Sequence, residues 1–226
     1  MNTQRHIVDE ILRQHCTIPD KTHSKGKRNN GEWPVIGQAS AIGKVGDNQD
    51  EWFLPILKAL SAHTGLRPKM YPYALFKFIF PSVENVDQGI FERITLQYDE
   101  KFYEMQKWFQ RYMYQWKAER LNRSKAMPHI KTYARVSPCY TKMAYFFLTS
   151  ANFSYGGWGN IPRNHQSILI KSYEAGVLFL PKFFDEEYFE IAESDENKNG
   201  MLFPVLYDFP LTPYAPGDKP FTRSNE

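Results

Sequence analysis

Cysteine is scarce: only Cys16 and Cys139 occur in 226 residues. They stand far apart and fit neither a Cys-x-x-Cys pair nor a zinc spacing. That excludes a disulfide scaffold, suits a reducing compartment and leaves both as structural thiols. Long apolar runs are missing as well, since nothing approaches the roughly 18 to 20 continuous apolar residues of a membrane-crossing helix. The polar opening MNTQRHIVDE is no secretory signal. The sequence therefore predicts a soluble, intracellular protein without a membrane partner. Nor does one sign of charge dominate: 28 Lys and Arg against 25 Asp and Glu leave a net +3. This is too little to announce nucleic acid by itself, although Arg5, Arg13, Lys25, Lys27 and Arg28 load the amino-terminal part. No internal repeat is visible.

What is present is core-forming material, 42% apolar and 16% aromatic, enough for one large domain or two small ones. Ile7, Ile11 and Leu12 fall at helical spacing between Thr3 and Cys16, predicting a short amphipathic helix with little to pack. Residues 17–32 are polar and turn-rich and read as a linker, so the chain divides into residues 1–32 and a folded domain at 33–226. Within that domain Pro34 to Gln38 reads as a strand, and Ala39 to Gly46 as a glycine-punctuated turn offering backbone amides. Asp50 is expected to cap a helix carrying Phe53, Ile56, Leu57 and Leu60, with Gly65 as its stop. Tyr73 to Phe80 is apolar on both faces and predicts a central strand. Asp99 is expected to cap the longest helix, with Phe102, Met105, Phe109, Tyr112, Met113 and Trp116 three or four apart. Further strands fall near Ile130–Val136, Met143–Thr149, Ile168–Ile170 and Gly176–Leu180. The proline-punctuated tail from Met201 predicts an extended chain laid over the domain. Strands alternating with covering helices define the fold class as α/β, a mixed β-sheet flanked by helices on both faces.

The chemistry concentrates between Pro128 and Gly159, in PHIKTYARVSPCYTKMAYFFLTSANFSYGGWG. On an extended chain His129 and Lys131 share a face, because strand side chains alternate with period 2. Asn152 follows the next apolar run and joins them if the two strands pair. An imidazole can serve as general acid or base, a transfer that contributes roughly 10² to 10⁴ in rate. The ammonium supplies charge, and the carboxamide can donate to a phosphoryl oxygen. The combination suits phosphodiester cleavage without metal and calls for no cofactor. A second His-x-Lys pair, His23 and Lys25, lies in the polar linker with no apolar strand behind it and reads as solvated. Glu174 leads into the apolar run Gly176–Leu180, where it either orients a catalytic imidazole or sits exposed at a strand end. Ser154 and the GGWG turn either bind phosphate or turn a corner. Trp33, Trp108, Trp116 and Trp158 read as core rather than base-stacking platforms.

AMPHIKTYARVSP, TSANFS with GGWG, and KSYEAGVLFLP, in that order, resemble the second catalytic half of the tyrosyl-DNA phosphodiesterases, within the phospholipase D superfamily. WPVIGQASAIG, FPSVEN and FPVLYDFP add to the resemblance, which runs from Trp33 to Phe221. Arg135 and Val136 stand where the wider superfamily places an Asp, favouring the tyrosyl-DNA branch. The resemblance implies a phospholipase D-like domain that hydrolyses the 3′-phosphotyrosyl bond between DNA and trapped topoisomerase I in two metal-free steps, in the nucleus. It implies that His129 is the acid and base, that Lys131 and Asn152 bind the phosphate, and that Glu174 buttresses a histidine of the other half. Ser40 and Ser154 fall where the family contacts DNA. Lys44 is a further DNA-binding candidate, at a place where, as at Ala39 and Ala41, an aromatic or serine is expected. The partners implied are a single-stranded DNA 3′ end bearing a tyrosyl or topoisomerase I peptide adduct, and a first half with its own His-x-Lys set. The alternative is a noncatalytic DNA- or partner-binding module on the same scaffold.

Overall fold

The computed structural model describes residues 4–18, 33–62, 73–89, 96–159, 171–191 and 202–223. In chain order its elements are α1 (Gln4–His15), β1 (Val35–Gln38), β2 (Ala41–Ile42), α2 (Phe53–Leu60), β3 (Phe76–Ile79), α3 (Val83–Asp87), β4 (Gln97–Tyr98), α4 (Glu100–Met105), β5 (Met113–Tyr114), β6 (Lys131–Val136), β7 (Lys142–Thr149), α5 (Tyr155–Trp158), β8 (Gly176–Phe179) and β9 (Phe189–Glu190). The main sheet runs β5-β3-β1-β6-β7-β8, with β9 also on β7. β5, β3 and β1 are parallel, and the rest pair antiparallel. This is the mixed α/β sheet expected. Gly65, the Ile168–Ile170 strand and the His23 and Lys25 pair lie outside the described residues.

Alternation along the strands fills both faces. Val35, Phe76, Phe78, Tyr133, Tyr145 and Phe147 point to one core, shared with α1, α2 and Phe109. Ile36, Ile79, Ala134, Val136, Met143 and Phe146 point to the other. There Val86 of α3 and the tail residues Val205, Tyr207 and Leu211 cover them. The tail is extended, as expected, and bridges Tyr114 through Pro213 and Ser82 through Pro220. Trp33, Trp116 and Trp158 are buried, and Trp108 packs partly buried against the first core.

Four local expectations are corrected. The helix predicted across 99–116 is capped by Asp99, whose Oδ1 accepts the Lys101 N–H at 2.8 Å, but it ends at Met105. A tighter 3₁₀ turn (Lys107–Tyr112) follows, and then β5 pairs with β3. The break falls at Gln106, 1% exposed, whose amide is drawn to Val45 N, Gly43 O and the Tyr98 hydroxyl. Asp50 does not cap α2, which begins after Trp52 with no side-chain cap. Gly176–Leu180 is not a buried strand: β8 lies on the sheet edge, and Val177 is 55% exposed. Finally, α1 is well packed, because its inner stripe is Val8, Leu12 and Cys16, at i, i+4 and i+8.

The burial of α1 makes a direct prediction. Leu12, fully buried, should cost about 2–5 kcal/mol of unfolding free energy when changed to Ala. Ile7→Ala, at a residue 47% exposed, should change it by less than about 0.5 kcal/mol in the same urea melts.

Candidate active site

Strand register assembles the site. Lys131, first residue of β6, lies opposite Thr149, last of β7, and Thr149 lies opposite Gly176, first of β8. Gln38, last of β1, lies opposite Thr132. All these ends fall at one edge of the layer, beyond the carboxyl ends of the parallel strands, where open α/β sheets bind ligands. Three loops open there: residues 39–46 after β1, residues 150–154 after β7, and the approach to β8 that carries Glu174.

Asn152 is the most firmly placed of the expected residues. Its Oδ1 accepts the Ala41 backbone N–H at 2.9 Å and the Ser40 hydroxyl at 3.2 Å. A backbone N–H can only donate, so it fixes the oxygen of the carboxamide and leaves Nδ2 to donate outward. Ser40, expected to touch DNA, is only 1% exposed and sits behind Asn152. The amides of its turn serve the site's own frame: Ala41 N goes to Asn152, Gly43 N to Phe153 O and Val45 N to Gln106. Gly43 is required for this closeness, since a Cβ there would stand 2.6 Å from Ser154 Cβ.

Lys131 is 5% exposed, and its Nζ donates to the His129 carbonyl at 2.5 Å. Burial lowers the ammonium's pKa, and the carboxylate of Glu174 pulls it back up. Glu174 accepts a short hydrogen bond from the Ser150 hydroxyl, whose oxygen in turn accepts Ala175 N–H at 3.0 Å. Thr149 Oγ1 donates to Ala175 O at 3.3 Å and accepts from Ala151 N and from Gln4 Nε2, which ties α1 to the same corner. Below the Asn152 loop, Trp158 Nε1 donates to the Tyr133 hydroxyl, which donates to Ala151 O. Burial pushes that phenol well above its ordinary pKa and keeps it a donor.

His129 is exposed and precedes β6, which begins at Lys131. The period-2 expectation thus covers Lys131 but not His129, whose main-chain carbonyl rather than its imidazole receives the Lys131 Nζ. Ser154 caps α5, its Oγ accepting Gly157 N–H at 3.2 Å with its own proton still to donate. The GGWG amides are drawn into that turn: Trp158 N donates to Ser154 O and Gly159 N to Tyr155 O. Lys44 pairs with Asp47 at 3.2 Å. Ser150, Thr149 and Gln4 were not foreseen. Ser150 carried one signal, its place two residues before Asn152 in TSAN.

This sheet, with its polar groups gathered at the strand ends, has the phospholipase D-like fold: the yeast tyrosyl-DNA phosphodiesterase matches with a TM-score of 0.63 over 86% of this chain and 50% of that one, at 17% identity. Yeast structures carrying histidine substitutions at two separate positions match similarly. The sequence goes further than the fold. A model of the tyrosyl-DNA phosphodiesterase family matches residues 7–215, and the chain belongs to that family. Tyrosyl-DNA phosphodiesterase 1 of Drosophila melanogaster is 41% identical over 200 residues, covering 83% of this chain and 33% of that protein. A probable tyrosyl-DNA phosphodiesterase of Caenorhabditis elegans is 31% identical, covering 84% and 39%. The chain thus spans between a third and two fifths of the length of these relatives.

The buried ammonium predicts a pH signature. Because folding lowers the Lys131 pKa, the unfolded chain binds more protons between the lowered value and the ordinary lysine range near 10.4. Stability therefore gains with rising pH through that window, and Lys131→Met should lack this gain. Thermal melts across pH 7 to 10.5 check both.

Proposed function

We propose that this chain is the lobe of a tyrosyl-DNA phosphodiesterase that supplies one His-x-Lys…Asn set to a two-set site. The observation that carries the reading is an Asn152 carboxamide fixed by Ala41 on the loop after β7, at the same sheet edge as the buried Lys131 that opens β6. Lys131 neutralises the phosphoryl oxygens while the Asn152 Nδ2–H donates to one of them, a stabilisation built in before substrate arrives. The negative charge of a bound phosphate offsets the desolvation that disfavours the charged Lys131.

In the first step a histidine of the complementary lobe attacks phosphorus, forming a P–N bond as the P–O bond to tyrosine breaks. His129 as imidazolium gives its proton to the leaving phenolate. Now neutral, His129 takes a proton from water, the resulting hydroxide attacks phosphorus, and the P–N bond breaks to leave a 3′-phosphate on DNA. Glu174, held by Ser150, faces the edge where the complementary imidazole enters and steadies its positive charge. Ser40 acts through Asn152, and Ser154 meets the DNA backbone. The substrate is a DNA 3′ end bearing a tyrosyl or topoisomerase I peptide adduct, and the place of work is the nucleus. The second reading, a noncatalytic DNA-binding module, is favoured by the hydroxyl and cationic groups around Asn152 and predicts binding that never leads to turnover.

Hydrolysis of a 3′-phosphotyrosyl oligonucleotide separates the readings. Alone, the chain should bind the product 3′-phosphate strand but release no tyrosine above background. Supplied with the remainder of the Drosophila relative's chain, it should turn over, and His129→Ala should cut that rate by roughly 10² to 10⁴. Turnover by the chain alone, lost in His129→Ala and accompanied by a dimer in sedimentation, would contradict the two-lobe assignment. Binding with no turnover under any pairing would leave the noncatalytic module.

A further inference from the structure

The apolar strand β7 closes on a threonine, Thr149, where a valine would offer the same branched shape, and the difference is one hydroxyl on a buried side chain. A hydroxyl has one proton and two lone pairs, and here the fold commits all of them. The proton goes to Ala175 O at 3.3 Å, while the lone pairs take Ala151 N–H at 3.1 Å and Gln4 Nε2–H at 3.2 Å. Thr149 also stands directly opposite Lys131 in the strand register. One oxygen therefore joins the loop that carries Asn152, the approach that carries Glu174 and the first turn of α1, at the strand end where Lys131 lies.

These segments do not depend on that oxygen equally. Ala175 O also accepts Ser150 N–H at 2.9 Å, Ala175 N–H reaches Ser150 Oγ, and the Ser150 hydroxyl donates to Glu174, so the approach to β8 is tied down without Thr149. The Ala151 N–H, one residue before Asn152, is taken up by Thr149. Asn152 is thus held from two sides: its carboxamide oxygen by Ala41, and the main chain leading into it by Thr149. With its proton and both lone pairs engaged, Thr149 has nothing left to offer a ligand directly. We propose that Thr149 is a positioning residue for the phosphate site, its hydroxyl fixing the main chain that enters Asn152, and so the aim of the Nδ2 donor, against the strand end that carries Lys131. This deepens the phosphate-binding reading of the preceding section and rests on it.

The test reads the affinity of the whole chain for a 3′-phosphorylated oligonucleotide. Thr149→Val keeps the branched shape, loses the hydroxyl, and should weaken binding roughly fivefold to tenfold, the loss expected of one hydrogen bond. The dependence of that affinity on salt should stay as in the unaltered chain, because no cation has been removed. Thr149→Ser keeps the hydroxyl, loses the methyl, and should bind within about twofold of the unaltered chain. In the unaltered chain the Ala151 amide should exchange with solvent at least roughly tenfold more slowly than an unbonded amide, a reading that requires no variant to fold. Thr149→Val binding as tightly as the unaltered chain would overturn the proposal. An equal loss in Thr149→Ser would do so too, by assigning the effect to the methyl, as would a weaker salt dependence in Thr149→Val, by assigning it to the Lys131 charge. An Ala151 amide exchanging at the unbonded rate would remove the contact on which the role depends. Absence of binding by the unaltered chain, with the Ala151 amide still protected, would instead sink the phosphate site, and this role with it.

Discussion

One backbone N–H, that of Ala41, decides which way the Asn152 carboxamide faces, and the site depends on that choice. An amide turned the other way would present an oxygen to a phosphate and repel it. The contact joins residues 111 apart in sequence, so it exists only because β1 and β7 flank β6 and send their following loops to the same edge. Ser40 and the backbone link between Gly43 and Phe153 hold the two loops together on either side of it. A donor directed by the fold does not have to be oriented when substrate binds, which is where the advantage of a preformed site lies.

The same edge holds a group that works against stability. Lys131 is buried among the strand ends, and Glu174 compensates it only partly, so its charge is disfavoured there. Chains retain such residues where a ligand supplies the missing counter-charge. Around it runs a relay of hydrogen bonds from Gln4 through Thr149 and Ala175 to Ser150 and Glu174. Each member has a backbone or hydroxyl partner, so the carboxylate has a defined position although it lies near solvent. The relay also makes α1 part of the site's frame, in keeping with a family match that begins inside that helix.

Sheet strands were legible where composition leaves little choice. β7 is a run of aromatic and apolar residues too short for a helix, and Asn152 could be set just past it. Other features depended on distant partners that no local pattern carries. The aromatic spacing after Asp99 fits an α-helix, yet Gln106 is claimed by Gly43, Val45 and Tyr98, and β3 offers Met113 and Tyr114 an edge to pair with. In α1 three apolar residues suggested one stripe, but the core selected Val8, Leu12 and Cys16, whose spacing lines up better on a single face. Ser40 was expected to touch DNA from the family resemblance alone; its burial behind Asn152 follows from tertiary structure. Ser150 was passed over because its one signal, a place two residues before Asn152, means little until Glu174 is seen to accept its hydroxyl proton.

The central claim is that Asn152 Nδ2 is the phosphate donor while its oxygen stays bound to Ala41. Titrating the chain with a 3′-phosphorylated oligonucleotide and following amide resonances by NMR tests it most directly. The account predicts a large saturable shift of the Asn152 side-chain NH₂ with the Ala41 backbone N–H nearly unmoved. An Ala41 resonance that moves with ligand while the Asn152 NH₂ stays still would mean the loops are assembled for something else.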